Sequence, residues 1–245
     1  MAGMTSPDTW LMLADDALVL GHRLSEWCGF APSSEEDLAL ANLALDQLGL
    51  ARALFAAAGL DEDRCAYFRD AREFRNCLLV EQPNGDFAQT IARQVIYTAF
   101  ADPYWRAMTG SADPRLAAIA AKAEKESAYH LRHAGEWLIR LGDGTAESHA
   151  RAQAAVDALW PYSGEMFETD AGEQGLIAQG VAVDPAGLRG TWDATLDRVL
   201  TEATLTRPAS GWMQSGGRDG RHSEHLGHLL AVMQHVARTY PGAQW

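Results

Sequence analysis

The sequence has few cysteines, few basic residues and no long uncharged apolar run. Its three cysteines, Cys28, Cys65 and Cys77, form no CxxC pair and leave an odd thiol, which is typical of a reducing compartment. No run of about 18 uncharged apolar residues predicts a transmembrane span. No basic segment followed by a small-residue cleavage site predicts a signal peptide. We therefore expect a cytoplasmic protein with no membrane partner.

Basic residues are scarce in proportion to acidic ones. Lys and Arg number 20 against 33 Asp and Glu, which gives a formal net charge of −13. Binding to nucleic acid requires a clustered Lys/Arg surface, so this class of partner is excluded. The 245 residues are 47% apolar, and no Pro/Ser/Gly-rich linker divides them. One domain over residues 1–245 is predicted.

Short catalytic motifs are also missing. The sequence contains no GxSxG, GxGxxG or GxxxxGK[ST], and no cysteine stands in a known nucleophile motif. The loop Gly216-Gly217-Arg218 could bind a phosphate at a helix N-terminus, or it could be a plain connection. We favour the plain connection.

Helix signals occur along the whole chain, and strand signals are almost absent. Start signals are Ser6-Pro7, Ser33 with Glu36 as a capping box, Asp86, Asp113-Pro114 and Asp184-Pro185. They predict helices over about 7–28, 34–58, 86–109 and 114–142, another after 184, and a last one over about 220–240. Long helices with short connections predict an all-α up-down bundle.

The helix faces predict which side chains are buried. In the helix over 114–142, apolar residues step by three or four, and Ser127 and His130 lie on that inward stripe. The helix over 34–58 is apolar nearly all round and is predicted to be central. Asp15, His22 and Glu26 form a solvated or partner-facing polar face on the first helix. On the last helix, we predict a buried stripe of Leu226, Leu229, Met233, Val236 and Tyr240, with His228 and His235 opposite it.

A bundle with inward polar residues raises the hypothesis of a di-iron site. Such sites take four carboxylates and two histidines, with Glu-x-x-His pairs on two helices. The chain contains no Glu-x-x-His; the core stripe has Ser127-x-x-His130 instead. Glu126 with His130, and Asp219 with His222, His225 and His228, are other possible ligand groups. Hydrogen bonding is favoured over metal binding at both.

A resemblance to the PaaC family rests on segments along almost the whole chain. These are Leu13 to Gly21, Arg23 to Gly29, Leu40-Ala41-Asn42, Leu45-Asp46, Gly49 to Arg52, Phe74-Arg75-Asn76, Val80 to Gly85, Ile91 to Gln94, Gly216-Gly217, Glu224 to Gly227 and Pro241 to Trp245. The resemblance implies a ferritin-like helical bundle with additional C-terminal helices. It also implies a structural subunit of the phenylacetyl-CoA ring epoxidase, which begins aerobic phenylacetate catabolism.

In that family, iron is held by a related catalytic subunit that binds the CoA thioester, and a reductase supplies electrons from NADPH. The resemblance therefore implies no cofactor and no catalytic residue in this chain. The sister subunit's ligand positions fall on Leu18, Gln47, Leu50, Thr98, Ser127 and His130. Only His130 keeps a ligand side chain, so the site is expected to be degenerate.

The expected partner is the catalytic di-iron subunit, and the chain alone could form a homodimer. Candidate partner-contacting residues are Asp15, Arg23, Glu26, Glu81, Gln82, Asn84, Arg218, His222 and Glu224. The alternative hypothesis is a di-iron oxygenase active in its own right, using Glu126, His130 and carboxylates such as Asp15 or Asp46. An iron-storage ferritin homologue lacks support, because carboxylate-rich ferroxidase positions are not visible.

Overall fold

The computed structural model of the chain describes residues 7–209 and 211–243, and the regular secondary structure of these residues is helical. These residues contain no β-strand. Their helices are α1 Pro7–Ser25, α2 Ser34–Ala57, α3 Glu62–Tyr67, α4 Leu78–Glu81, α5 Phe87–Met108, α6 Pro114–Gly142, α7 Ala146–Leu159, α8 Ala171–Ala178, α9 Arg189–Glu202, α10 Glu224–Met233 and α11 His235–Thr239. The predicted all-α, ferritin-like helical bundle with additional C-terminal helices is confirmed.

Two compact units divide the chain. The terminal unit combines Met1–Pro83 with Ser215–Trp245, and the central unit is Asn84–Gln214. The predicted single domain over residues 1–245 stays a prediction, because a division into compact units does not show whether either unit folds alone.

The terminal unit is built on the antiparallel pair of α1 and α2. Gly21 lets the two helices approach closely, since a Cβ there would lie 3.2 Å from the carbonyl oxygen of Ala44. The Ser33 side chain accepts the Glu36 N–H at 3.3 Å and caps α2, as predicted. Gly59, with φ of +73°, follows the helix end, which agrees with the predicted end near residue 58. The predicted cap Ser6 lies outside the described residues.

Helix α2 is buried on one face only. Leu40, Leu43 and Leu54 are packed in the core, whereas Leu38 and Leu45 are 64% and 65% exposed. The prediction that this helix is buried all round was therefore wrong for its outer face. Within the described residues, α2 alone has the length and composition of a membrane-spanning helix.

The C-terminal part of the terminal unit contains two helices where one over 220–240 was predicted. They meet at Gln234, whose buried amide donates to the carbonyls of Ala66 and Arg69 at 2.9 Å each. Leu226 and Leu229 are buried as predicted, Met233 is half-buried, and His228 and His235 are exposed as predicted. Val236 and Tyr240 were wrongly predicted to be buried, because the break turns them outward to 49% and 60% exposure.

The central unit is built on the antiparallel pair of α5 and α6. Asp86 and Asp113 cap these helices through the N–H groups of Gln89 and Arg115, both at 2.9 Å, as predicted. On α6, Ser127 and His130 are 4% and 1% exposed, which confirms that the predicted stripe points inward. The signal at Asp184-Pro185 begins a short 3-10 turn, and α9 follows it.

The core of the central unit is aromatic. Trp192 on α9 is fully buried, and its Nε1–H donates to the Ile96 carbonyl of α5 at 2.9 Å. The rings of Trp160 and Phe167 lie 5.4 Å from the Trp192 ring, within the range of favourable aromatic pairs. These contacts join α5, α9 and the turn after α7.

Candidate functional site

The polar face of α1 carries buried charged side chains. Asp15, Asp16 and Arg23 are all less than 7% exposed, so the prediction that the α1 polar face is solvated was wrong for Asp15. Adjacent carboxylates on a buried helix cannot neutralise each other, and each therefore needs a donor from another segment. The structure supplies these donors from residues 69–82 and 216–225 of the same unit.

Asp15 is paired with Arg69. The guanidinium is bidentate on the carboxylate, with one Nη1–Oδ2 distance of 2.9 Å, and the backbone N–H of Arg75 donates to the same carboxylate at 2.8 Å. Arg69 also lies over the Phe74 ring, 4.1 Å from its centroid. Burial raises the pKa of the Asp15 carboxyl, and Arg69 and the Arg75 N–H act in the opposite direction. The pair fixes the loop before Phe74 against α1.

Asp16 is paired with Arg218, which lies 202 residues later in the sequence. The two guanidinium–carboxylate distances are 2.9 and 2.7 Å, and the Cys77 N–H donates to Asp16 at 2.7 Å. Arg218 also donates to the Arg75 carbonyl at 2.8 Å. The loop at Gly216 to Arg218 is therefore held by a carboxylate, which agrees with a connecting role.

Glu81 is the third buried carboxylate among the described residues of the terminal unit, and it is fully buried. It accepts from the Asn76 amide at 2.9 Å and from the Ser223 N–H at 2.7 Å. His222 Nδ1 lies 2.7 Å from Glu81, and His222 Nε2 lies 3.0 Å from the Phe74 carbonyl, which can only accept. His222 Nε2 therefore carries a hydrogen, and one further proton lies between His222 Nδ1 and the Glu81 carboxyl. With that proton on Nδ1 the two side chains form an ion pair, and with it on Glu81 they form a neutral hydrogen-bonded pair.

Arg23 completes the network from α1. It donates to the Glu81 carbonyl at 2.8 and 3.2 Å and to the His225 carbonyl at 3.1 Å. It is also paired with Glu26 at 3.0 Å. The ion network is the name used below for Asp15, Asp16, Arg23, Arg69, Glu81, Arg218 and His222. It joins α1 to residues 69–82 and to residues 216–225.

The predicted partner-contacting residues divide by exposure. Asp15, Arg23, Glu81, Gln82, Arg218 and His222 have bonds inside the terminal unit, and Asn84 accepts from Arg93 at 2.6 Å in the central unit. Glu26 and Glu224 are exposed. Partner contact stays a prediction for all nine. Where such a residue is buried, the segment that the residue holds in place would contact the partner.

The six degenerate ligand positions are buried in their own units. Leu18, Gln47 and Leu50 in the terminal unit are 7%, 5% and 8% exposed. In the central unit, Thr98 is fully buried and donates to the Gln94 carbonyl at 2.6 Å, one turn earlier on α5. Across the described ranges, no three His, Cys, Asp or Glu side chains come together in a group that could hold a metal. The degenerate assignment itself stays a prediction.

The other residues that the sequence offered as possible metal ligands take part in separate ion pairs and hydrogen bonds. Glu126 is paired with Lys122 on the surface of α6 at 3.1 Å. His222 belongs to the ion network, whereas Asp219 is paired with Arg221 at 2.7 Å. The contacts of His222 thus agree with the predicted hydrogen-bonding role. His222 lies just before α10 rather than on it.

Sequence reasoning named five of the seven network residues as candidate partner contacts, but it did not predict that they bond to one another. Asp16 and Arg69 were not among the candidates. Asn76 and the backbone N–H groups of Arg75 and Cys77 were not singled out either, because they lie in a polar stretch without helical periodicity. The available signal was the adjacent pair Asp15-Asp16 on an otherwise apolar helix. Such a pair requires buried cationic partners elsewhere in the chain.

Comparison with known proteins places the chain in a family. A family described as "Phenylacetic acid catabolic protein" matches residues 4–245. A protein of Escherichia coli (strain K12), described as one of the subunits of 1,2-phenylacetyl-CoA epoxidase, is 49% identical over 240 residues, covering 96% of this chain and 97% of that protein. The chain belongs to the phenylacetic acid catabolic protein family. The predicted resemblance is confirmed.

Proposed function

We propose that this chain is a cytoplasmic, non-catalytic subunit of a phenylacetyl-CoA epoxidase, in which it pairs with and stabilises a di-iron catalytic subunit. The similarity to a protein described as a subunit of such an epoxidase carries the proposal, because it extends over nearly the full length of both chains. The same set of helices is therefore available in both.

The residues at the expected metal-ligand positions argue for the non-catalytic role. A di-iron centre in this type of bundle takes four carboxylates and two histidines. Three of the six positions that the resemblance assigns to metal ligands carry side chains without charge. Leu18 and Leu50 are apolar, and Gln47 is neutral. A buried pair of iron cations without anionic ligands is strongly disfavoured. The residues of this chain therefore do not fit the group, and we assign iron to the partner.

Exposed apolar side chains support a protein partner. Phe30, Leu38 and Leu45 in the terminal unit are 79%, 64% and 65% exposed. Leu38 and Leu45 lie two turns apart on α2, and contiguous exposed apolar side chains are typical of interaction surfaces. Stable interfaces of obligate complexes commonly bury more than about 2,000 Å². The ion network would hold α1 of the same unit in place.

Co-expression with the catalytic subunit tests the pairing. We expect the two chains to elute together in size-exclusion chromatography, and the catalytic subunit to lose solubility and epoxidase activity when this chain is omitted. Equal solubility and activity of the catalytic subunit alone would refute the stabilising role.

A further inference from the structure

Gln94 on α5 is a buried side chain with two unbonded polar atoms. It is 1% exposed, and within the part of the chain that the structure describes neither its Nε2 nor its Oε1 has a hydrogen-bond partner. A buried amide without partners loses the hydrogen bonds that it makes to water in the unfolded chain, and native cores rarely contain one. Gln94 therefore points to a ligand that can donate to its oxygen and accept from its nitrogen.

The face of α5 that carries Gln94 is packed against α6. Phe87, Gln94 and Thr98 are two turns and one turn apart, so they share this face. The Phe87 ring meets the Trp137 ring of α6 edge-on, with centroids 5.1 Å apart. This ring contact marks one end of the shared surface between the two helices.

The facing side of α6 carries polar side chains at the same level. The two helices are antiparallel, so equal steps away from the ring contact lead to opposed positions. Two turns along α5 lead to Gln94, and two turns back along α6 lead to His130. Thr98 and Ser127 lie about one turn further on. All four residues are at most 4% exposed, and we call them the α5–α6 polar region.

The neighbours of Gln94 on α5 leave its side-chain amide to a ligand. Ile91 and Ala101, on the same face, are buried and have no polar side-chain atom. The Thr98 hydroxyl donates to the Gln94 backbone carbonyl at 2.6 Å, and its lone pairs can accept from a ligand. Any ligand of this region is enclosed by the core and is therefore small.

We propose that the α5–α6 polar region binds ordered water, with at least one water bonded both to the Gln94 amide and to a polar group of α6. A buried water makes about three hydrogen bonds to groups that would otherwise lack partners. Amide, hydroxyl and imidazole groups can all supply these bonds. A metal cation fits less well, because none of the four side chains is a carboxylate that could balance its charge. The water links α5 to α6 at the level of Gln94.

The test is a crystal structure of the full chain, at a resolution that shows buried waters, together with the variant Gln94→Met. Methionine is close to glutamine in length and volume, but its thioether is only a weak acceptor and it has no donor. Gln174→Met, at an exposed glutamine of α8 in the same unit, is the matched control.

We expect density for a water about 2.7–3.2 Å from the Gln94 amide in wild type, and none at this place in Gln94→Met. In urea denaturation, the midpoint of Gln94→Met should fall below that of Gln174→Met, because the α6 groups lose the bridging water. An amide without any partner would give the opposite shift, since methionine would relieve its burial. The wild-type crystal decides the question even if Gln94→Met does not fold.

The inference does not rest on the proposed function, and the outcomes separate the two. If the wild-type crystal shows no water on Gln94, or if the midpoint of Gln94→Met equals or exceeds that of the control, the inference is overturned and the proposed function stands. A metal at this place, recognised by its anomalous scattering, would overturn both the inference and the non-catalytic role.

Discussion

The terminal and central units bury their polar side chains in different ways. In the terminal unit, three buried carboxylates are neutralised by residues that lie far away in sequence, as in Asp16 with Arg218. In the central unit, Thr98 bonds to Gln94 within its own helix, and aromatic rings around Trp192, whose Nε1–H donates to the Ile96 carbonyl, fill the core. The terminal unit is thus cross-linked at α1 by ion pairs, and the central unit at α9 by aromatic packing and the Trp192 hydrogen bond. Both arrangements stabilise a helical bundle, but they fail differently when altered.

The largest expected effect comes from breaking one ion pair of the network. Arg69→Met should lower the free energy of unfolding by about 3–5 kcal/mol, because it leaves the Asp15 carboxylate buried without its cation. Adding Asp15→Asn should restore a large part of that loss. The measurement is urea denaturation followed by circular dichroism.

Its control is an exposed ion pair in the same unit. Arg52 and Glu62 are 71% and 42% exposed, so Arg52→Met should lower the free energy of unfolding far less than Arg69→Met does. If Arg69→Met costs no more than Arg52→Met, the ion network does not stabilise the terminal unit.

An intermediate effect is expected in the aromatic core of the central unit. Trp192→Phe should lower the free energy of unfolding by about 1–3 kcal/mol, because the Ile96 carbonyl loses its donor and the smaller ring leaves a gap. Trp212→Phe, at a side chain that is 78% exposed, is the matched control and should be nearly neutral. Equal effects of the two changes would show that the Trp192 core contributes no special stability.

The smallest expected effect is a dependence of stability on pH at His22 in α1. Burial lowers the pKa of the His22 imidazole, so the folded chain prefers the neutral ring. The associated stability is present above the ordinary value of about 6.5 and is lost as pH falls below it towards the lowered pKa. Replacing His22 with Gln should reduce this loss between pH 7.5 and 5.5 in urea denaturation. A variant with the same pH slope as wild type would contradict the assignment.

Much of the helical layout could be predicted from local signals. Caps such as Ser33 and Asp86 act within one turn, and the inward stripe with Ser127 and His130 follows from periodicity alone. The break at Gln234 could not be predicted, because it depends on carbonyls of residues 66 and 69.

The pairing of residues within the ion network could not be predicted from the sequence for the same reason. Asp16 and Arg218 are 202 residues apart, and no pattern at either end identifies the other. The exposure of Leu38 and Leu45 was missed because periodicity cannot tell a central helix from one with an apolar outer face. Long-range pairing and exposed apolar surface are the features that required a structure.

The central claim is that this copy of the bundle supports catalysis without holding iron. Its most direct test is elemental analysis of the chain produced in iron-rich medium and purified apart from its partner. We predict an iron content close to zero per chain, together with iron in the catalytic subunit when that is purified from the same culture. About two irons per copy of this chain, the loading of a di-iron bundle, would contradict the account.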